Sequence, residues 1–327
     1  MEQLAPITRN CRHAIARIAL GFFGFFAAAI LGQIGLILLF EAIAPTVVEG
    51  TLFTWLASLL PMYLLGLPLL WLAVRRLPRA TVAVRRLRPL DFFKLFAIAF
   101  ALMYLSNLLG TLINLLTELI LGGASQAGAT ELIGESSLLL TIPLAVILAP
   151  IVEEVVFRKI LLLRLLPFGE GFAVLTSAIL FGLFHGNLAQ LPYAFAVGLV
   201  LGLVAARTGR LIYPILLHVL LNFLGTVPPT LFLSLAEKFE AFDPAAEMPP
   251  TLILSLLLSL LIMLFYLGVV FALVGLGIYF FARHRRALMP HPASEQIPKG
   301  ERWQILVSPP VLLYALAIVF LFVLSYL

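Results

Sequence analysis

Two adjacent glutamates and an arginine stand close together inside a strongly apolar stretch of the chain. The segment LAPIVEEVVFRKI, residues 148–160, contains Glu153, Glu154 and Arg158. A charged side chain at the centre of a membrane helix costs roughly 2.5–3.5 kcal/mol, so such residues are rare and mark functional sites. On a helix, Glu154 and Arg158 are four residues apart and can pair on one face, whereas Glu153 is rotated by about 100°. The spacing therefore predicts a neutralising Glu154–Arg158 pair and leaves Glu153 available as a general base.

Two further apolar runs carry polar residues with chemical capacity. In YPILLHVLLNFLG, His218 and Asn222 are four residues apart on one helix face, and His185 lies in FGLFHGN. A histidine can transfer a proton or bind a metal, and an asparagine amide can donate to a developing oxyanion. Because Glu153, His185 and His218 fall at similar depths in three predicted helices, we expect them to converge. Singly, each histidine fits a plain hydrogen-bonding role between helices, so the prediction depends on the combined set.

The elements that must position these residues are membrane helices. The chain of 327 residues is 62% hydrophobic and 11% charged, with a mean hydropathy of +1.12. These values are typical of a polytopic membrane protein and not of a soluble domain. We therefore expect an all-α bundle of about nine transmembrane helices. The apolar runs that predict them are residues 15–40, 52–74, 95–121, 138–165, 171–189, 190–206, 211–232, 251–282 and 306–327.

The distribution of basic residues predicts the orientation in the membrane. Of the 21 lysines and arginines, 18 lie in or beside alternate connecting segments, two lie within the fourth run, and only Lys238 lies in the other segments. By the positive-inside rule, the N-terminus is cytoplasmic and the C-terminus is outside. We expect a multi-pass protein of the cell membrane. The basic residues adjoin apolar spans, so the net charge of +5 indicates contact with anionic lipid and not with nucleic acid.

Several other classes of protein fit the sequence poorly. Its two aspartates, Asp91 and Asp243, lie outside the predicted spans, which argues against an intramembrane aspartyl protease. No HExxH motif occurs, and GESS at residues 134–137 lacks the final glycine of a rhomboid serine motif. The single cysteine, Cys11, can form neither an internal disulfide nor a thiolate metal cluster. No inverted repeat of broken helices supports a transporter.

Taken in order, the motifs resemble those of a known family. EEVVFR fits EExxxR, FGLFH fits FxxxH and HVLLN fits HxxxN, and together they span about residues 138–225. This ordered set is similar to that of the CPBP intramembrane proteases, which include the type II CAAX prenyl proteases and the bacterial Abi proteins. The resemblance implies a membrane-embedded endopeptidase with a CAAX-protease-like core.

The resemblance also implies a role for each residue singled out above. Water would be activated by Glu153 with His185, and a metal or the oxyanion would be held by His218 and Asn222. The implied roles are catalytic for Glu153, His185, His218 and Asn222, supporting for Glu154 and Arg158, and metal-binding for Glu153, His185 and His218. The family is classed as metalloproteases, yet a metal-free glutamate mechanism has also been argued. Zinc is therefore a possible cofactor, and the sequence leaves the requirement open.

The sequence divides into three predicted units. Residues 1–137 hold helices 1–3 with a basic cytoplasmic loop, 138–232 hold the CPBP-like catalytic core, and 233–327 hold helices 8–9. The favoured function is hydrolysis of a peptide bond in a membrane-associated protein or peptide. The alternatives are a non-catalytic membrane protein that binds a peptide or partner, as in bacteriocin immunity, and, less favoured, a proton-coupled transporter. The expected partners are membrane lipid and a protein or peptide substrate; the oligomeric state is open.

Overall fold

The computed structural model describes residues 5–121, 132, 136–240, 249–290, 296–301, 304–305 and 307–324. Within these ranges the chain is helical and forms no strand. Nine helices correspond in order to the nine apolar runs: α1 Pro6–Ile43, α2 Thr51–Val74, α3 Pro89–Leu121, α4 Leu138–Phe168, α5 Glu170–Phe184, α6 Leu191–Thr208, α7 Ile212–Glu240, α8 Pro250–Leu288 and α9 Pro309–Leu324. By length and composition, seven of these can cross a membrane, whereas α5 and α9 are shorter. The predicted all-α membrane bundle is confirmed, and the number of crossings stays a prediction.

Some predicted features lie partly outside the described residues. Asp243 lies at a position that the structure does not describe, and so do residues 134 and 135 of the GESS segment. The predicted limit of the catalytic core at residue 232 falls inside α7, which continues to Glu240.

Helix α4 lies at the centre of the bundle. It contacts α5, α6 and α7, while α1 packs against α2 and α9, and α3 packs against α6 and α8. Two apolar clusters result: one joins α1, α2, α4, α5, α6 and α9, and the other joins α3, α6, α7 and α8. The polar residues of α4 therefore face helices from both clusters.

Helices α5 and α6 approach closely along a glycine face. A Cβ atom at Gly198 would lie 3.1 Å from the Cα of Ala178, and one at Gly202 would lie 3.4 Å from the Cγ1 of Val174. The same Cβ at Gly202 would lie 3.7 Å from the Nη1 of Arg158. The sequence GLVLG predicts such close packing, because small residues let helix backbones approach each other. This contact brings α6 alongside the buried arginine of α4.

The path of α4 is not uniformly α-helical. Two π-helical segments, Ile142–Leu148 and Val155–Leu162, flank the short α-helical stretch Ala149–Glu154. At the end of the first π-helical segment, the N–H of Ala149 donates to the carbonyl of Leu144, five residues earlier and not four as in an α-helix. The next residue is a proline, which has no N–H. The carbonyl of Ala145 is therefore left without a donor from its own helix.

A second proline has the same effect in α7. Pro228 has no N–H to donate to the carbonyl of Leu224, four residues earlier. The hydroxyl of Tyr266 on α8 donates to this carbonyl over 2.9 Å, and it also contacts the hydroxyl of Tyr104 on α3. A polar side chain from a neighbouring helix thus satisfies the freed carbonyl and joins α3, α7 and α8.

The basic segment between α2 and α3 is attached to the bundle by its backbone. The N–H of Ala80 donates to the carbonyl of Leu163 over 2.6 Å, and the N–H of Arg85 donates to the carbonyl of Thr208 over 2.8 Å. At the end of α2, Arg17 and Arg164 donate to the carbonyls of residues 73 and 74. Because these terminal carbonyls have no intrahelical donor, the two guanidinium groups complete the C-terminus of α2.

Candidate active site

The predicted ion pair between Glu154 and Arg158 is present in α4. The Nε of Arg158 donates to Oε2 of Glu154 over 2.9 Å, although part of this stretch is π-helical. Both side chains are almost fully buried, with 0% of Glu154 and 1% of Arg158 exposed. The Nη1 of Arg158 donates to the hydroxyl of Ser177 on α5 over 2.9 Å. Because a buried charge is costly unless it is paired and hydrogen-bonded, this network lets α4 carry a full ion pair inside an apolar bundle.

His218 of α7 is attached to the same carboxylate. Its Nδ1 lies 3.1 Å from Oε1 of Glu154. Since the carboxylate is already paired with Arg158 and can only accept, Nδ1 carries the proton and donates it. The ring orientation is thus fixed by Glu154, and Nε2 is directed to the other side. A carboxylate that holds one ring nitrogen of a histidine in this way sets the tautomer that is available for chemistry at the other nitrogen.

Glu153 lies on the free side of that imidazole. Its Oε2 is 3.8 Å from Nε2 of His218, and its side chain is 18% exposed where that of Glu154 is fully buried. Tyr63 of α2 and Tyr193 of α6 are near enough to interact electrostatically with the Glu153 carboxylate. Of the two adjacent glutamates, Glu153 is therefore the more accessible and has no cationic partner on its own helix.

Asn222 lies one helical turn beyond His218 and bridges two helices. Its Nδ2 donates to the carbonyl of Ala145 over 3.1 Å, which is the carbonyl left free by Pro150 in α4. One of the two N–H groups of the amide is thus used to attach α7 to α4. The second N–H has no hydrogen-bond acceptor within the part of the chain that the structure describes, so it can donate to a bound group.

The sequence predicts that His185 lies inside a helix, but the structure places it just after the end of one. Helix α5 ends at Phe184, and His185 is its C-terminal cap because Gly186 follows with a φ of 63°. A residue with positive φ ends a helix, and glycine adopts that conformation without steric cost. The Nδ1 of His185 lies 2.9 Å from the carbonyl of Phe181, so Nδ1 donates and Nε2 is free. The rigid end of α5, and not a helix interior, positions this imidazole.

The two histidines share an aromatic neighbour. The ring of Phe181 lies 5.1 Å from that of His185 and 5.5 Å from that of His218, both edge-on. Tyr193 also lies against His185, at 6.4 Å between ring centroids. The structure thus brings Glu153 close to His218 and places His185 beside the same Phe181 ring that His218 contacts. Among the described residues, no direct hydrogen bond joins His185 to Glu153.

The donor set gives a limited fit to a metal ion. Within the described residues, no group of three His, Cys, Asp or Glu side chains is arranged to hold one. A catalytic zinc site uses three protein ligands, whereas Glu153 and His218 supply two. The assignment of Glu153, His185 and His218 as metal ligands stays a prediction, and no step proposed below depends on it.

Several residues of the site were not predicted from the sequence. Tyr63 and Tyr193 lie in apolar runs that carry no motif, and Ser177 lies outside the FGLFH motif of its own run. The contact between Glu154 and His218 could not be predicted from helical spacing either, because it joins residues 64 positions apart. One signal was available for Ser177: it is a small hydroxyl residue in a buried helix, where a polar partner is expected.

Fold and site together define a polytopic helical membrane protein with a buried carboxylate–imidazole cluster between its central helices. Residues 135–224 match the family described as Type II CAAX prenyl endopeptidase Rce1-like. The matched segment begins just before α4, ends within α7 and contains all six residues predicted from the motifs. The family resemblance predicted from the sequence is thereby confirmed for this segment.

Two curated relatives match part of the chain. YdiL of Bacillus subtilis (strain 168), provisionally named a membrane peptidase, is 38% identical over 77 residues. MroQ of Staphylococcus aureus (strain USA300), named a membrane-embedded CAAX protease, is 32% identical over 83 residues. Each match covers 23% of this chain and 32% or 34% of the relative, so the chain spans about a third of the length of the relatives it matches. No solved structure matches the chain significantly.

Proposed function

We propose that the protein is an intramembrane endopeptidase that hydrolyses a peptide bond of a membrane-associated protein or peptide. The observation that carries this proposal is the position of Glu153, whose Oε2 lies 3.8 Å from the free nitrogen of an imidazole that Glu154 fixes from behind. That separation is too long for a direct hydrogen bond and short enough for one water molecule to contact both groups. The match of residues 135–224 to an endopeptidase family supports the same reaction.

In the proposed reaction, Glu153 takes a proton from a water molecule as the oxygen attacks the peptide carbonyl carbon. The carbonyl oxygen becomes an oxyanion, and the uncommitted N–H of Asn222 can donate to it, which is usually the largest electrostatic contribution in acyl transfer. Glu153 then returns the proton to the leaving amine as the C–N bond breaks. His218 positions the water through Nε2, and His185 stands in the next layer as a second proton-transfer group.

The buried ion pair has a positioning role in this scheme. Arg158 keeps Glu154 ionised, Glu154 holds the proton of His218 on Nδ1, and Nε2 therefore stays directed at Glu153. The active geometry is thus set by residues on three helices, α4, α5 and α7, and not by flexible connections. A site held on rigid elements keeps the reacting groups within the small tolerance that catalysis needs.

The proposal is tested by mapping new N-termini in membranes. Membranes from cells that express the wild-type chain are compared with membranes from cells that express Glu153→Gln at the same level. We expect a set of membrane-protein N-termini that require the wild-type glutamate. Purified protein is then given a fluorogenic peptide that ends in a farnesylated CAAX sequence, and the same peptide without the prenyl group, to define the substrate class.

Two results would count against the proposal. If no N-terminus depends on Glu153, the chain is better explained as a non-catalytic membrane protein that binds a peptide or partner. If purified Glu153→Gln cleaves a substrate at the wild-type rate, Glu153 is not the base. Zinc dependence is assessed separately, by the activity of the purified enzyme before and after chelation and metal replacement.

A further inference from the structure

A second polar cluster lies on the surface, where α2 ends, whereas the candidate active site is buried between helices. It forms a pocket of about 360 Å³, here called the arginine pocket, which is lined by Trp71, Arg75, Leu77, Pro78, Arg79 and Arg164. This volume is within the range of small-molecule sites. Its lining contains three guanidinium groups and no acidic residue. The proposed peptidase chemistry uses none of these residues.

The positive charge of the pocket has no internal counterion. Within the described residues, none of its three arginines forms an ion pair with a carboxylate, and the charges of Arg79 and Arg164 repel each other. Arg164 is fixed, because its Nε and Nη1 donate to the carbonyls of Val74 and Ile160 over 2.8 and 2.6 Å. A guanidinium has five N–H donors, so three remain. A fixed guanidinium beside two exposed ones is well suited to a phosphate, which accepts several charge-assisted hydrogen bonds.

The location points to a lipid as the source of that phosphate. Helix α2 ends at Val74, and Trp71 is 45% exposed one turn earlier. The guanidinium of Arg75 stacks over its ring at 5.3 Å. Tryptophan is enriched where the hydrocarbon meets the headgroups. The pocket opens among the arginines of the segment predicted to be cytoplasmic, the face where anionic lipid is attracted by basic residues.

We propose that the arginine pocket binds the phosphate of an anionic phospholipid headgroup. The phosphate lies between Arg75, Arg79 and Arg164, and the acyl chains follow the apolar surface of α2 below Trp71. Binding at this position neutralises the repulsion between the arginines and holds the end of α2 against α4. The site is independent of the proposed catalytic residues and does not depend on the proposed function.

The test uses the full chain purified in dodecyl maltoside. Its melting temperature is followed during titration with phosphatidylglycerol, with phosphatidylcholine as the neutral lipid and with sodium phosphate as the soluble anion. We expect saturable stabilisation by phosphatidylglycerol alone. The double variant Arg75→Gln/Arg79→Gln should need roughly 25-fold more of this lipid for half saturation, at about fivefold for each arginine near an anionic surface. Both side chains are exposed, so the fold should be kept.

The matched control is Arg85→Gln/Arg86→Gln, which removes the same charge from exposed positions of the same segment outside the pocket. Its half-saturating lipid concentration should match that of the wild type. If both double variants lose affinity equally, the lipid responds to the general surface charge and the site is refuted. If sodium phosphate stabilises the protein as well as the lipid does, the ligand is a soluble phosphate and the lipid assignment is overturned.

Discussion

Replacement of Glu154 by alanine should destabilise the fold far more than the same change at Glu153. The Glu154 carboxylate is fully buried and accepts from Arg158 and His218 over 2.9 and 3.1 Å. Its removal leaves Arg158, only 2% exposed, with Ser177 as its side-chain hydrogen-bond partner among the described residues. Breaking a buried ion pair from one side costs about 3–5 kcal/mol, since the remaining charge is uncompensated. At about 2–4 °C for each kcal/mol, the melting temperature should fall on the order of 10 °C.

Glu153→Ala should have the opposite profile. The Glu153 side chain is 18% exposed, and its nearest ionic neighbour is the His218 nitrogen at 3.8 Å. Little folding free energy is therefore lost, and removing an isolated carboxylate from a membrane helix can even favour insertion. Loss of a general base should lower kcat by about 10²–10⁴. Glu154→Ala is thus expected to lower both stability and activity, whereas Glu153→Ala is expected to lower activity alone.

Both variants are measured in one detergent, by thermal melting and by cleavage of one reporter peptide. Lys159→Ala, at an exposed position next to Arg158 on the same helix, is the control for loss of a charge from α4 and should resemble the wild type. If Glu154→Ala melts at the wild-type temperature, Arg158 is neutralised by another route and the energetic reasoning is wrong. If Glu153→Ala is active, the assignment of the base fails.

Three further predictions concern the contacts around these residues. Glu154→Gln should also lower the melting temperature, because the buried Arg158 loses its counterion. In the folded fraction its amide N–H should turn toward Nδ1 of His218, which moves the imidazole proton to Nε2 and lowers kcat on the order of 10⁴; an unchanged kcat would refute the tautomer argument. Asn222→Ala should lower kcat by about 10²–10³. It should also destabilise the protein by about 1–3 kcal/mol, because the carbonyl of Ala145 loses its donor; an activity loss explained fully by unfolding would exclude an oxyanion role. Tyr266→Phe should destabilise the protein by about 1–3 kcal/mol, because the carbonyl of Leu224 loses its donor. In a Pro228→Ala background the same change should be nearly neutral, since the N–H of residue 228 can then donate to that carbonyl. Equal effects in both backgrounds would show that Tyr266 does not compensate for the proline.

The parts of the structure that follow local rules could be predicted from the sequence. The nine apolar runs each become a helix, because a lipid environment leaves the backbone few other ways to satisfy its hydrogen bonds. The pairing of Glu154 with Arg158 follows from a spacing of four residues. The close packing at Gly198 and Gly202 follows from their small size on one helix face.

The parts that depend on contacts between distant residues could not be predicted. No periodicity indicates that Glu154 serves His218 as well as Arg158, since this depends on how α7 packs against α4. The apolar neighbours of His185 predict a helix interior, whereas the positive φ of Gly186 ends α5 at Phe184. The partner of Asn222 required knowledge of which carbonyl lacks a donor, which in turn depends on the wide turn before Pro150.

The two π-helical segments of α4 also determine how this helix responds to changes in chain length. A turn bonded from one residue to the fifth beyond it contains one residue more than an α-helical turn. Deletion of one residue within Ile142–Leu148 can therefore be absorbed by a return to α-helical geometry, which keeps the residues before the segment and Glu153 in the same relative orientation. The same deletion within Ala149–Glu154 has no wide turn to absorb it and shifts the glutamates out of register with α7. Insertions and deletions among related chains are thus expected on either side of the two glutamates, while the stretch that contains them keeps a constant length.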